Sequence, residues 1–249
     1  MRRILLSILF CSAIAAADEV GVQFEQANQL YRNGEYQKAA GLYEQILLNG
    51  YENTVLHFNL GNTYFKLRRW PAAILSYERA KRLAPNDEDI SYNLHLANLN
   101  VVDKIEPIPK LFLVEWWNGL TNFYSADAWS RIALGCLWVL AAAGALFLTL
   151  RSNVVRRMTG FGIVLALVVC LFSFTAVLQR LSVEQNQEYG IVFSPSAAVK
   201  SAPDEQSTDL FVIHEGVKVQ LVDTVNDWKK VRLADGKVGW LVSGSIQVI

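Results

Sequence analysis

The stretch F-N-L-G-N-T-Y-F-K-L, Phe58 to Leu67, followed by A-I-L-S-Y-E-R-A, Ala73 to Ala80, decides the fold of the first part of this chain. Small residues at Ala27, Ala39, Gly61 and Ala73 let two helices approach closely, and Tyr43 and Tyr77 fill the space between hairpins. The same order stands 34 residues earlier: Ala27 for Gly61, Leu30 for Tyr64, Tyr36 for Trp70, Ala39 for Ala73, Tyr43 for Tyr77 and Ile46 for Ala80. That period marks stacked helix–turn–helix units. Two units cover about residues 20–53 and 54–87. Gly34 suits the left-handed position at a helix end; Arg68 stands there in the second unit. A further helix over about 88–102 places Ile90, Leu94 and Ala97 on one face, as a closing helix of a solenoid would. Two units are few for a free-standing solenoid. The module is therefore expected to lean on the membrane-proximal segment, on a second copy or on a partner.

This pattern, ending in Pro85, resembles the tetratricopeptide repeat family, an all-α solenoid. In that fold the first helix of each repeat lines a concave groove. Here the groove would carry Phe24, Asn28, Tyr31, Arg32, Phe58, Asn59, Asn62, Phe65 and Lys66. Asn side chains can clamp a peptide backbone, and Arg32 and Lys66 can attract a carboxylate. The competing reading is that the aromatics pack and that Asn merely belongs to the N-L-G-N helix motif. Phe24 departs from the Lys that such carboxylate clamps often carry.

Working outward, two uncharged apolar spans, Ile132 to Leu150 and Met158 to Leu178, flank the connector R-S-N-V-V-R-R. Each matches the helix length needed for a hydrocarbon core about 30 Å thick. The pair reads as a transmembrane hairpin, with helices over about 129–150 and 158–180 and a loop at 151–157. A hairpin leaves both flanking parts on one side. The connector holds Arg151, Arg156 and Arg157 and no acid, which places it in the cytoplasm. Arg2 and Arg3, the apolar Ile4–Ala17 and the closing Ala15-Ala16-Ala17 have the layout of a signal peptide over residues 1–17. Both signals put the flanking parts outside. Of three cysteines, Cys11 lies in the signal segment and Cys136 and Cys170 in the spans, so the exported parts have no disulfide framework.

The segment 104–128 links the solenoid, residues 18–103, to the first span. Pro107 and Pro109 break the helix. The aromatic-rich Leu111–Tyr124 reads either as an interfacial helix on the outer leaflet or as a helix packed under the repeats. Ser125 is placed to cap the helix entering the first span. Neither span holds a charged side chain, which argues against a transporter.

After a linker, Val183 to Glu188, the periodicity changes to two. V-K-V-Q-L-V-D, Val217 to Asp223, alternates as a strand does. W-K-K-V-R-L and K-V-G-W-L flank Ala234-Asp235-Gly236, a hairpin with a short Gly-containing loop. Short strands over 189–249 suggest a small barrel, and their order resembles bacterial SH3-like domains. Trp228, Lys230, Arg232 and Trp240 are its candidate groove residues. The alternative is that both Trp residues are barrel core.

The composition narrows the chemistry. With 23 basic and 23 acidic residues the net charge is zero, unlike that of a nucleic-acid binder. The three His residues, His57, His95 and His214, belong to no metal or nucleophile motif. Neither an enzymatic activity nor a cofactor is expected.

Taken together, the chain is expected to be a multidomain membrane protein: an all-α tetratricopeptide-repeat solenoid, a two-helix transmembrane hairpin and an all-β SH3-like small barrel. This combination is similar to the BatE proteins. The stretches Pro85–Leu94, Val102–Pro107 and Val199–Gly216 carry the likeness in detail. The resemblance implies a component of the Bat aerotolerance system, working with von Willebrand factor A membrane proteins and a MoxR-type ATPase. It implies an inner-membrane scaffold with both soluble parts in the periplasm. The alternative is a protein that binds peptidoglycan or senses envelope stress.

Overall fold

The computed structural model describes residues 19–109, 111–121, 123–150, 152–186 and 188–249. The expected signal segment and Arg151 lie outside them. The chain forms two compact units, one joining the part through Ile108 with Tyr189–Ile249, the other holding Pro109–Glu188.

The first unit opens with helical hairpins. Helix α1 covers 19–32, α2 Tyr36–Leu48, α3 Thr54–Lys66, α4 Trp70–Leu83 and α5 Glu88–Asn98. Local chemistry sets their ends. Asn53 Oδ1 accepts from the Leu56 N–H at 2.8 Å, and Asp87 Oδ1 from the Ile90 N–H at 3.1 Å, so α3 and α5 each have a side-chain cap. Pro71 sits in the first turn of α4, where its missing N–H costs nothing. Gly34 closes α1 at φ 80°, and Arg68 takes the matching left-handed position after α3 at φ 58°.

Seven strands follow: β1 Glu188–Val192, β2 Ser196–Lys200, β3 Asp209–His214, β4 Lys218–Val225, β5 Trp228–Arg232, β6 Val238–Val242 and β7 Ile246–Val248. They form one sheet in the order β3-β2-β6-β5-β4-β1-β7, of the SH3-like type. The β5–β6 hairpin turns at Gly236, φ 88°, as its Ala-Asp-Gly loop suggests. Gly239 lies where a Cβ would meet Val199 Cγ1 at 2.3 Å and the Lys200 carbonyl at 2.9 Å, so β6 crosses β2 too closely for any side chain there.

The two modules are not separate bodies. Ile74 and Tyr77 of α4, Leu94 and Ala97 of α5, and Val101 join Ile191, Val199, Val219, Val231 and Leu241 of the sheet in one buried core. Polar contacts frame it. Lys218 Nζ meets Glu78 at 2.7 Å, and Arg79 and Arg82 donate to the carbonyls of Val248 and Ile249 at 2.7 and 2.8 Å. Asp103 accepts from the His214 N–H at 2.6 Å and meets its Nδ1 at 3.0 Å. The expectation that the repeats lean on the membrane-proximal segment, a second copy or a partner is corrected here: they lean on the barrel. The reason is that α4 and α5 end the stack with apolar side chains that the barrel covers, with Ile105 of the linking segment packed against the same core.

The second unit holds α6 Phe112–Thr121, α7 Ala126–Thr149 and α8 Asn153–Asn186. Both α7 and α8 are long and apolar enough to cross a membrane. At 24 residues, α7 is about 36 Å long. Ser125 Oγ accepts from the Ala128 N–H at 3.3 Å, capping α7. Helix α8 begins inside the expected connector and runs through 186, so residues 183–186 are helix, not linker. No Gly or Pro interrupts Leu181–Asn186, and α8 runs to Asn186. Helix α6 turns Trp117 and Asn118 onto α8. The Trp117 Nε1–H donates to Gln179 Oε1, and Gln179 Nε2 donates to Asn118 Oδ1 at 2.9 Å. Trp129 is buried, with its Nε1–H donating to the Thr121 carbonyl at 2.9 Å and its ring edge-on to Phe172. Leu111, Phe112, Leu113 and Trp116 remain exposed.

Candidate functional site

The concave face of the repeats is built from one hydrogen-bonded motif used twice. Asn28 Oδ1 accepts from the Tyr43 hydroxyl at 2.7 Å and from Asn59 Nδ2 at 3.0 Å. One period on, Asn62 Oδ1 accepts from the Tyr77 hydroxyl at 2.8 Å and from Asn93 Nδ2 at 2.9 Å. Each Asn oxygen thus uses both its acceptor positions to tie three helices together. Burial pushes the Tyr43 hydroxyl up to about 12, and burial raises Tyr77 as well, so both stay protonated donors. Phe24 and Phe58 lie tilted against the two tyrosines, with centroids 5.9 and 6.0 Å apart.

Two hollows open over this ladder. The first, about 290 Å³, is lined by Asn28, Tyr31, Arg32, Tyr43, Asn59 and Asn62. The second, about 280 Å³, has walls from Tyr31, Asn62, Phe65, Lys66, Tyr77 and Asn93. Among the described residues, no hydrogen bond is made to the side-chain oxygens of Asn59 and Asn93, whose Nδ2 groups donate within the ladder. Arg32 is paired with Glu25 at 2.6 Å, and that hydrogen bond holds the Glu25 carboxyl below the usual range. Its charge is therefore answered. Lys66 is exposed and in no ion pair among the described residues.

Of the nine residues expected in the groove, seven line the hollows. Phe24 and Phe58 do not; they pack on the tyrosines beneath, because the ring of each fills the gap between neighbouring helices. The structure adds Asn93 and the two tyrosine hydroxyls. Asn93 follows Asn59 by one period of 34, a signal present in the sequence.

The barrel's candidate residues share one face. On β5, Trp228, Lys230 and Arg232 alternate with the core residue Val231; on β6, Trp240 stands between the buried Gly239 and Leu241. Both Trp residues are half-buried and belong to no core cluster. Lys230 pairs with Trp240 across the strands and lies 5.8 Å from its ring centroid. Lys200 of β2 pairs with Trp240 on the other side but is held by Asp209 at 2.7 Å.

Two families match these regions. Residues 24–88 match the family model described as Tetratricopeptide repeat, and residues 195–247 that described as Bacterial SH3 domain. No curated protein matches the chain. Tetratricopeptide repeats and SH3 domains are typically non-catalytic binding modules, so the matched regions speak for binding to proteins or to the cell wall.

His57 lies away from both faces. It is buried, with Nε2 against Glu52 Oε1 at 2.9 Å. Burial lowers its pKa and so keeps the ring neutral, which makes Nε2–H the donor to the carboxylate. That hydrogen bond holds Glu52 low in turn.

Proposed function

We propose that this chain is a non-enzymatic inner-membrane scaffold that gathers protein partners at the outer face of the membrane. The observation that carries the reading is the pair of polar hollows one repeat apart, with unused amide oxygens above a locked tyrosine–asparagine ladder. An extended peptide offers N–H groups in register with such a row, and Lys66 provides a cation for a carboxylate. Helices α7 and α8 act as a tether with no charged side chain in the apolar spans. The exposed apolar side of α6 lies on the outer leaflet. The bacterial SH3 match supports a periplasmic side for the soluble unit. The resemblance to BatE proteins names the partners: von Willebrand factor A membrane proteins and a MoxR-type ATPase system.

The test is co-purification in mild detergent. Asn59→Ala, Asn93→Ala and Lys66→Glu together should release the von Willebrand factor A partners from an otherwise folded chain. Recovery of every partner with that triple variant would sink the reading. Topology is tested by a single cysteine at Ser201 after removal of the native ones, which should react with an impermeant reagent from outside.

A second reading rests on the half-exposed Trp228 and Trp240 beside Lys230: the barrel binds wall peptide. Retention of the full chain on peptidoglycan sacculi, abolished by Trp240→Ala, would favour it over the scaffold.

A further inference from the structure

A third hollow of the first unit lies on neither face described above. It measures about 710 Å³, within the range of pockets that take small ligands and short peptides. Its floor is apolar: Leu60 and Leu75 are nearly fully buried, and Leu47 and Pro71 continue it. The barrel closes one wall with Phe193, Glu215 and Gln247.

Its charges are uneven. Arg68, Arg69 and Arg79 line it together with Glu44 and Glu215. Glu44 is engaged by the Tyr64 hydroxyl, and Arg79 by the Val248 carbonyl at 2.7 Å. Arg68 and Arg69 are exposed and in no ion pair among the described residues. Arg68 holds φ 58° where the first repeat has Gly34 at φ 80°. Glycine takes that conformation without steric penalty, and arginine does not.

We propose that this cleft is a second docking site, for an acidic amphipathic segment of a partner protein. An apolar side chain of the segment enters between Leu60 and Leu75, and a neighbouring carboxylate meets Arg68 and Arg69. A single carboxylate suits the wall better than a multiply charged phosphate, which Glu44 and Glu215 would repel.

The experiment compares full-length protein in neutral detergent on a randomised array of short peptides. Wild type, Arg68→Gly, Arg69→Ser and Lys66→Ala are applied in parallel. Peptides enriched by wild type should carry Asp or Glu next to a large apolar residue. Arg68→Gly and Arg69→Ser should each weaken them roughly tenfold, the scale of a lost charge-assisted hydrogen bond. Arg68→Gly should do so with an unchanged or higher thermal midpoint, which a merely structural role for Arg68 would not allow. Lys66→Ala should leave these peptides bound. The proposal is overturned if no peptide separates wild type from Arg68→Gly, or if acidic and basic peptides bind alike. It is equally overturned if Lys66→Ala abolishes the binding, which would place it on the concave face. Vesicles of anionic lipid form the last arm; binding to them through Arg68 without acidic-peptide selectivity would assign the cleft to lipid instead.

Discussion

Asn62 shows how one residue serves both fold and groove. Its oxygen holds the Tyr77 hydroxyl and the Asn93 amide at once. Asn62→Ala should leave the buried hydroxyl without its partner and cost about 1–3 kcal/mol, read as a lower denaturation midpoint. Beside it, Gly61 has no room for a methyl group, since a Cβ would meet the Tyr77 ring at 2.6 Å. Gly61→Ala should destabilise by about 1–3 kcal/mol through overpacking, whereas the same change at Gly41, which has open space, should not. His57 and Glu52 make a pH prediction. Both have folded pKa values below their ordinary ones, so below those values the unfolded chain binds more protons. Their contribution is complete above about pH 6.5 and is lost as the pH falls, first through the imidazole and then through the carboxylate. Thermal midpoints should drop on acidification, and His57→Gln should shallow the slope just below pH 6.5; a midpoint flat between pH 7 and 5 would contradict this assignment.

At the level of elements, the helices are set by patterns a reader of sequence can see, with one exception at each apolar span. The 34-residue repeat places α1 to α4, and the caps at Asn53 and Asp87 are local. Helix α8, in contrast, overruns its apolar stretch at both ends, because hydrophobicity marks where lipid begins and not where the backbone stops being helical. The α6 segment shows a second limit. Its composition allowed a helix on the outer leaflet or one packed under the repeats, and the hydrogen bonds of Trp117 and Asn118 with Gln179 add a contact with α8 that neither expectation named. Gln179→Leu should free α6, raising hydrogen exchange over residues 112–121 without altering exchange in α3 or α4. Asn93 was legible and still easily missed. Helix α5 advertises itself through the apolar face of Ile90, Leu94 and Ala97, while Asn93 contributes by period and not by hydrophobicity.

At the scale of the molecule, a single core joins repeats and barrel. Ile74 is fully buried and lies near Gly216 of the barrel, where a Cβ would be 3.4 Å from its methyl. Ile74→Ala should cost about 2–5 kcal/mol and lower helical and sheet signals together, in one transition. Two separated transitions would show that the modules fold independently. The sequence by itself determined the repeat, the apolar spans and the alternating strands, because each rests on contacts between residues close in the chain or on a fixed period. Tertiary structure alone decided that the barrel caps the repeats, that Asp103 meets His214, and that a cleft forms between Leu75 and Phe193. Those contacts join residues more than a hundred positions apart, and a buried Val101 or Ile74 reads the same whether its neighbour comes from its own module or another. Periodicity names the face that must be covered; only packing in three dimensions says what covers it.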